Sequence, residues 1–138
     1  MVVRPALLYG VECWPTEKTQ VQRLMVAEMR MTRCMCGYTR LDKIRNVVIG
    51  ERVGVTPLED KLRETRLRWF GRVKRRSVSA LVRSCEAIEL LQCRRWRGRP
   101  KTSWNAVIRS DVKCMGLTED MAQDRNMWRS RIKIVDHR

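Results

Sequence analysis

Residues 56–76 read TPLEDKLRETRLRWFGRVKRR and carry the clearest helix signal in the chain. Thr56 suits the N-cap and Pro57 the first helical position, while Glu59 can reach back to the cap. The residues of one face then recur at three- and four-residue steps, the period of a helix that packs on one side. This stripe comprises Leu58, Leu62, Thr65, Trp69 and Val73, with Phe70 at its margin. The segment predicts a helix that begins at Pro57 and displays its charge to solvent.

The same segment is strongly basic, since residues 61–76 hold eight Lys or Arg and a single acid, Glu64. One carboxylate cannot neutralise that charge locally, so the helix is expected to follow a phosphate backbone. The alternative is a solvated face with a few acidic neighbours in the fold. The predicted phosphate contacts on this helix are Lys61, Arg63, Arg66, Arg68, Arg72, Lys74, Arg75 and Arg76.

Composition points the same way, because 30 Lys and Arg against 15 Asp and Glu leave a net charge of +15 on 138 residues. Such a charge favours nucleic acid as the partner, with a ribosome-like or membrane-surface basic protein as the alternative. The chain suits one domain with a single core. Its first residues, MVVRPALLYG, fit neither a signal peptide nor a membrane span, so an intracellular protein with no membrane partner is expected.

The sequence signals for the remaining helices are weaker. We predict helices over residues 17–36, 40–49 and 102–115, and a last helix after Thr118 that breaks near Asp124. Residues 77–92 fit either a helix or two short extended pieces. The predicted fold is all-α, a bundle or array of about five helices: N-terminal helices in 1–76, a weakly structured basic connection in 77–101 and C-terminal helices in 102–138.

A basic loop is predicted near residues 94–101, where five charges occur without an acid: Arg94, Arg95, Arg97, Arg99 and Lys101. Within it, residues 97–100 read RGRP, the core of the AT-hook, in which arginines enter a narrow minor groove. The alternative is a loop that contacts phosphate without reading sequence.

No catalytic or metal site emerges. The six cysteines lack zinc spacing and are expected as reduced thiols in a core, and the only histidine is His137. The acidic pairs Glu59-Asp60 and Glu119-Asp120 suit the first turns of helices, where they stabilise the dipole. No enzyme activity and no cofactor are therefore expected of this chain by itself.

Several blocks, taken in order, carry a family resemblance. RPALLYGVECW at residues 4–14, AEMRM at 27–31 and DKIRN at 42–46 resemble the C-terminal region of LINE-type (non-LTR) retrotransposon reverse transcriptases, especially plant ones. The resemblance continues through RLRWFG at 66–71, RGRP at 97–100 with Trp104, and AQDR at 122–125 with Trp128 and Arg129. Three positions depart from the family pattern. Arg72 stands where relatives commonly have His, and Ser77 stands where they commonly have Pro. Trp96 is the third.

The resemblance implies a truncated C-terminal, thumb-side fragment of an RNA-directed DNA polymerase that helps hold RNA, DNA or an RNA–DNA hybrid in the nucleus. The family's catalytic carboxylates and Mg²⁺ belong to an upstream palm domain. Two further hypotheses stand beside this one: residual polymerase activity, and a structural relic whose apolar faces packed on the missing polymerase domains.

Overall fold

The computed structural model describes residues 3–86 and 102–135, which form seven α-helices, two 3₁₀ turns and no strand. The all-α prediction is confirmed. The helices are α1 (Val3–Leu8), α2 (Lys18–Met35), α3 (Asn46–Val53), α4 (Leu58–Lys74), α5 (Leu81–Glu86), α6 (Trp104–Cys114) and α7 (Arg125–Ile132). The 3₁₀ turns are Val11–Cys13 and Asp120–Gln123.

The basic helix α4 lies at the centre of the array. It contacts both 3₁₀ turns and α2, α5, α6 and α7. Buried residues consequently occur on several of its sides, where the sequence predicted one stripe: Leu58, Leu62, Glu64, Arg66, Leu67, Phe70, Gly71 and Val73. The prediction that the charge lies on a solvent face was therefore wrong for part of the helix, because elements that are remote in sequence cover it.

The main core forms where α4, α6, α7 and the second 3₁₀ turn meet. Phe70 is 3% exposed, and its ring lies 5.9 Å from that of Trp128 and 6.3 Å from that of Trp104, in tilted pairs. Trp69, predicted to be in the packed stripe, is only half-buried, whereas Phe70 at the predicted margin is the core residue. The other buried members are Leu67, Ile108, Val112, Leu117, Ala122 and Ile132.

Helix α2 confirms the prediction for residues 17–36, but its packed residues were not foreseen. A capping box starts the helix, with the Glu17 N–H donating to Gln20 Oε1 at 3.0 Å. Its buried residues are Glu28 and Thr32, and Arg4 Nε lies 2.5 Å from Glu28 Oε1. Three of its methionines are exposed: Met25, Met31 and Met35.

The helix predicted over residues 40–49 is displaced toward the C-terminus. Asp42 Oδ2 accepts hydrogen bonds from the Thr39 N–H at 2.6 Å and from its hydroxyl at 3.0 Å, as a capping box would. This motif closes a turn, and α3 begins only at Asn46. Gly50, expected after the helix, lies inside it, and Gly54 ends it in the left-handed region at φ 66°.

In the C-terminal part, α6 lies within the predicted range 102–115, whereas the segment after Thr118 forms a 3₁₀ turn (Asp120–Gln123) before α7. Ser103 caps α6 by accepting from the Ala106 N–H at 3.2 Å, and Gly116 follows the helix with φ 61°. The break predicted at Asp124 is confirmed, because its carboxylate caps α7 by accepting from the N–H groups of Asn126 and Met127. α4 begins one residue later than predicted, at Leu58, and α5 occupies part of the unassigned segment 77–92.

Candidate nucleic-acid interface

Arg66 was predicted to contact phosphate, but it is a buried core residue. Its side chain is 7% exposed, and Nε donates to Asp111 Oδ2 of α6 at 2.7 Å. Nη1 donates to the Thr16 hydroxyl at 3.1 Å. The Arg66 guanidinium therefore joins α4 to α6 and to the chain before α2. Because it is buried and paired, it is not accessible to a polyanion.

Arg63 and Lys61 are also engaged within the fold. Arg63 Nη1 donates to Asp60 at 2.9 Å, and its Nε lies 3.6 Å from Asp111, too far for a hydrogen bond. Lys61 Nζ lies 3.1 Å from Glu64 and donates to the Ile134 carbonyl at 2.7 Å. The expectation that the charge of α4 is left for a polyanion was therefore wrong for its N-terminal half, because carboxylates of the fold, including Asp111 of α6, pair with its cations.

Glu64 and Arg68 mark the boundary between the paired and the open half of α4. Glu64 is 5% exposed, and it binds Arg68 Nη2 at 2.5 Å as well as Lys61. The Arg68 side chain is nevertheless 58% exposed. Its remaining N–H groups can still meet a phosphate because the guanidinium has five donors.

The C-terminal half of α4 is open. Arg72 and Arg76 are exposed, and no carboxylate of residues 3–86 or 102–135 lies within ion-pair distance of either. Arg72 also sits over the Trp69 ring at 5.9 Å, which orients its side chain. Lys74 is drawn toward the core side, lying 5.3 Å from the Phe70 ring centroid and 3.7 Å from Glu119.

Arg75 lies where α4 and α7 meet. Its Nη1 donates to the Ala122 carbonyl at 2.6 Å, which fixes the side chain. Burial lowers the pKa of Arg75, and the nearby charges of Arg125 and Arg72 lower it further. The positive charges of Arg72 and Arg125 thus act on Arg75, and within the described residues no carboxylate is ion-paired to any of the three.

Helix α7 contributes cations that sequence reasoning did not select. Arg125 adjoins Arg75, and Arg129 follows one turn later on the exposed side of α7. The sequence does indicate these cations through the apolar spacing of the final helix. Because Trp128 and Ile132 form its buried side, the positions next to them face solvent. We define the arginine face as Arg68, Arg72, Arg75, Arg76, Arg125 and Arg129.

A second basic cleft lies between α4, α5 and α6. It has a volume of about 590 Å³, and Lys74, Arg83 and Arg109 are among its lining residues. Glu119 also lines the cleft, and Arg83 Nη1 donates to the Lys74 carbonyl. The positive charge of the cleft is therefore partly compensated by groups of the fold. The predicted loop residues Arg94, Arg95, Arg97, Arg99 and Lys101 lie outside the described residues.

The cysteines and acidic residues assemble no metal cluster within the described chain. Cys13, Cys34, Cys85 and Cys114 are exposed and Cys36 is half-buried, all as free thiols, so the expected core location was wrong for these five. Partial burial and the charge of Glu12 raise the pKa of Cys13. Across residues 3–86 and 102–135, no helix has the length and apolar character that crossing a membrane requires.

No protein-family model, curated protein or solved structure matches the chain. The resemblance to retrotransposon reverse transcriptases stays a prediction from the sequence blocks.

Proposed function

We propose that this chain binds nucleic acid through the arginine face, contacting phosphates without reading base sequence. The observation that carries the proposal is a set of exposed arginines without an ion-paired carboxylate among the described residues: Arg72, Arg76, Arg125 and Arg129. Like charges held together are unfavourable in the free protein, and a phosphate placed between them removes the repulsion. Arginine also forms bidentate hydrogen bonds with phosphate.

The spacing of the face suits an extended polyanion. Arg68 and Arg72 lie one turn apart, about 6 Å along the axis of α4, and Arg76 follows just after the helix ends. Arg125 and Arg129 repeat that step on α7, which packs beside α4 through Trp128. Cations of both helices can therefore contact phosphates of one polyanion.

In biological terms, we propose a non-catalytic, thumb-side piece of a LINE-type reverse transcriptase that holds template, primer or their hybrid in the nucleus. The sequence blocks support the family, and the arginine face supports the holding role. Any polymerase chemistry and its Mg²⁺ are assigned to other domains of such an enzyme.

The test is fluorescence anisotropy with duplex DNA, an RNA–DNA hybrid and single-stranded RNA across a salt series. The double variant Arg72→Gln/Arg76→Gln should weaken all three complexes and lower the salt slope by about one unit for each lost phosphate contact. Arg40→Gln, at an exposed loop position before α3, is the charge-matched control for one substitution. Unchanged affinity and slope in the double variant would contradict the proposal.

A second candidate function is docking on another protein domain. The N-terminal half exposes several apolar side chains: Leu41 (88%), Val47 (68%), Val48 (49%) and Met35 (61%). Large exposed apolar side chains occur at interaction surfaces when they are contiguous, and these four lie within 14 residues of one another in the sequence. Sedimentation velocity tests it, since self-association that rises with concentration favours docking and a monomer at all concentrations counts against it.

A further inference from the structure

The turn between α1 and α2 exposes two aromatic side chains, Tyr9 at 90% and Trp14 at 68%. They line a shallow groove of about 390 Å³ that also includes Val11 and Leu24. Gly10 lies beneath, with φ 74°, and the Trp14 indole nitrogen is 3.9 Å from the position a Gly10 side chain would take. Large aromatic rings normally stabilise a fold by burial, so two neighbouring exposed rings indicate a binding surface.

The backbone of this turn is held from beneath by the core. Trp104 Nε1 of α6 donates to the Glu12 carbonyl at 2.8 Å. The buried guanidinium of Arg66 donates to Thr16, a residue that lines the groove, at 3.1 Å. Because both donors belong to packed helices, the backbone that carries the rings is held in place, and less backbone freedom is lost on binding.

Polar groups occur at the rim of the groove. Gln20 uses Oε1 to accept from Glu17, which leaves its amide N–H groups as donors. Arg23 follows on the next turn of α2, and no carboxylate of the described residues is ion-paired to it. The groove thus combines two flat apolar rings, an amide donor and a cation.

We propose that this groove binds an unpaired nucleobase of a single-stranded nucleic acid, with the base stacked on Trp14 or Tyr9 and an adjacent phosphate on Arg23. Every base has a π-face, so stacking of this kind tolerates any sequence. A second copy of this chain is the competing occupant. The net charge of +15 opposes its close approach, whereas a polyanion is attracted.

This inference goes beyond the arginine face, which contacts phosphates and does not distinguish a strand with bases from one without. The experiment compares a short labelled oligothymidylate with the same strand in abasic form, which has equal backbone charge. Wild-type protein should bind the strand with bases about tenfold more tightly. Trp14→Ala should bring that ratio close to one while leaving affinity for the abasic strand nearly unchanged, and Trp14→Phe should retain most of the ratio.

The controls separate the two sites. Leu41→Ala removes another exposed apolar side chain and should preserve the ratio. Arg72→Gln should lower the affinity for both strands by the same factor. If it does not, the result counts against the arginine face, and the ratio of the two affinities still measures the groove. A ratio unchanged by both Trp14→Ala and Tyr9→Ala would overturn the inference. A wild-type dimer that Trp14→Ala converts to monomer would also overturn it and assign the groove to a second copy.

Discussion

The indole of Trp128 lies directly on Gly71. Trp128 Nε1 donates to the Leu67 carbonyl at 2.9 Å, one helical turn before Gly71. A Cβ at Gly71 would lie 2.7 Å from Trp128 Cδ1 and would also meet Nε1. The missing side chain therefore lets α7 approach the backbone of α4, and this contact places Arg125 beside Arg75.

Gly71→Ala should destabilise the fold by about 2 kcal/mol, because a methyl group in this contact forces the buried indole to move. Helix propensity acts in the opposite direction, since alanine is favoured over glycine in a helix by about 1 kcal/mol. Urea unfolding followed by circular dichroism measures the difference. A gain in stability as large as that of an alanine substitution at an unhindered helical glycine would contradict the packing of Trp128 on Gly71.

Gly50→Ala is the matched control for that substitution. Gly50 lies within α3, and nothing stands within 4 Å of the position its Cβ would take. Relief of backbone entropy should therefore stabilise the protein by about 0.5–1 kcal/mol. Opposite signs at the two glycines would separate the packing effect from propensity.

The ion pair of Arg66 with Asp111 gives a second prediction. Asp111→Ala should cost about 3–5 kcal/mol, because it leaves a buried guanidinium without its carboxylate. The double variant Arg66→Met/Asp111→Leu should recover most of that loss, since it removes both charges and fills similar volume. Denaturant midpoints of the single and double variants measure this, and a double variant as unstable as the single one would contradict the account.

These residues show which features the sequence could predict. The three- and four-residue spacing of apolar residues located α2 and α6, because it depends on neighbours within a few residues. The burial of an arginine also depends on partners that are remote in sequence. Arg66 is buried against Asp111, which lies 45 positions away in the sequence, whereas Arg72 and Arg76 stay exposed to solvent. Arg125 was missed because it comes close to Arg75 only when Trp128 docks on α4.

The turn before α3 should respond to acid. Hydrogen bonds from the Thr39 N–H, then from its hydroxyl, lower the pKa of Asp42. A carboxylate with a lower pKa in the folded state stabilises the fold above its unfolded pKa, and this contribution is lost as pH falls through the folded pKa. Thr39→Val should move the pKa of Asp42 part of the way back to its ordinary value. An NMR titration of the carboxyl carbon checks this, and no shift would contradict a role for the hydroxyl.

Arg125→Gln should change stability and binding in opposite directions. Removing one charge from the cluster of Arg72, Arg75 and Arg125 relieves repulsion in the free protein, which should raise its stability at low salt by about 0.5 kcal/mol. The gain should fade at high salt because the repulsion is screened. Affinity for duplex DNA should fall at the same time, with a salt slope lower by about one unit. Thermal unfolding and anisotropy at matched salt measure the two effects, with Arg40→Gln as the control. If Arg125→Gln lowers stability without affecting affinity, Arg125 acts as a structural residue and does not belong to the interface.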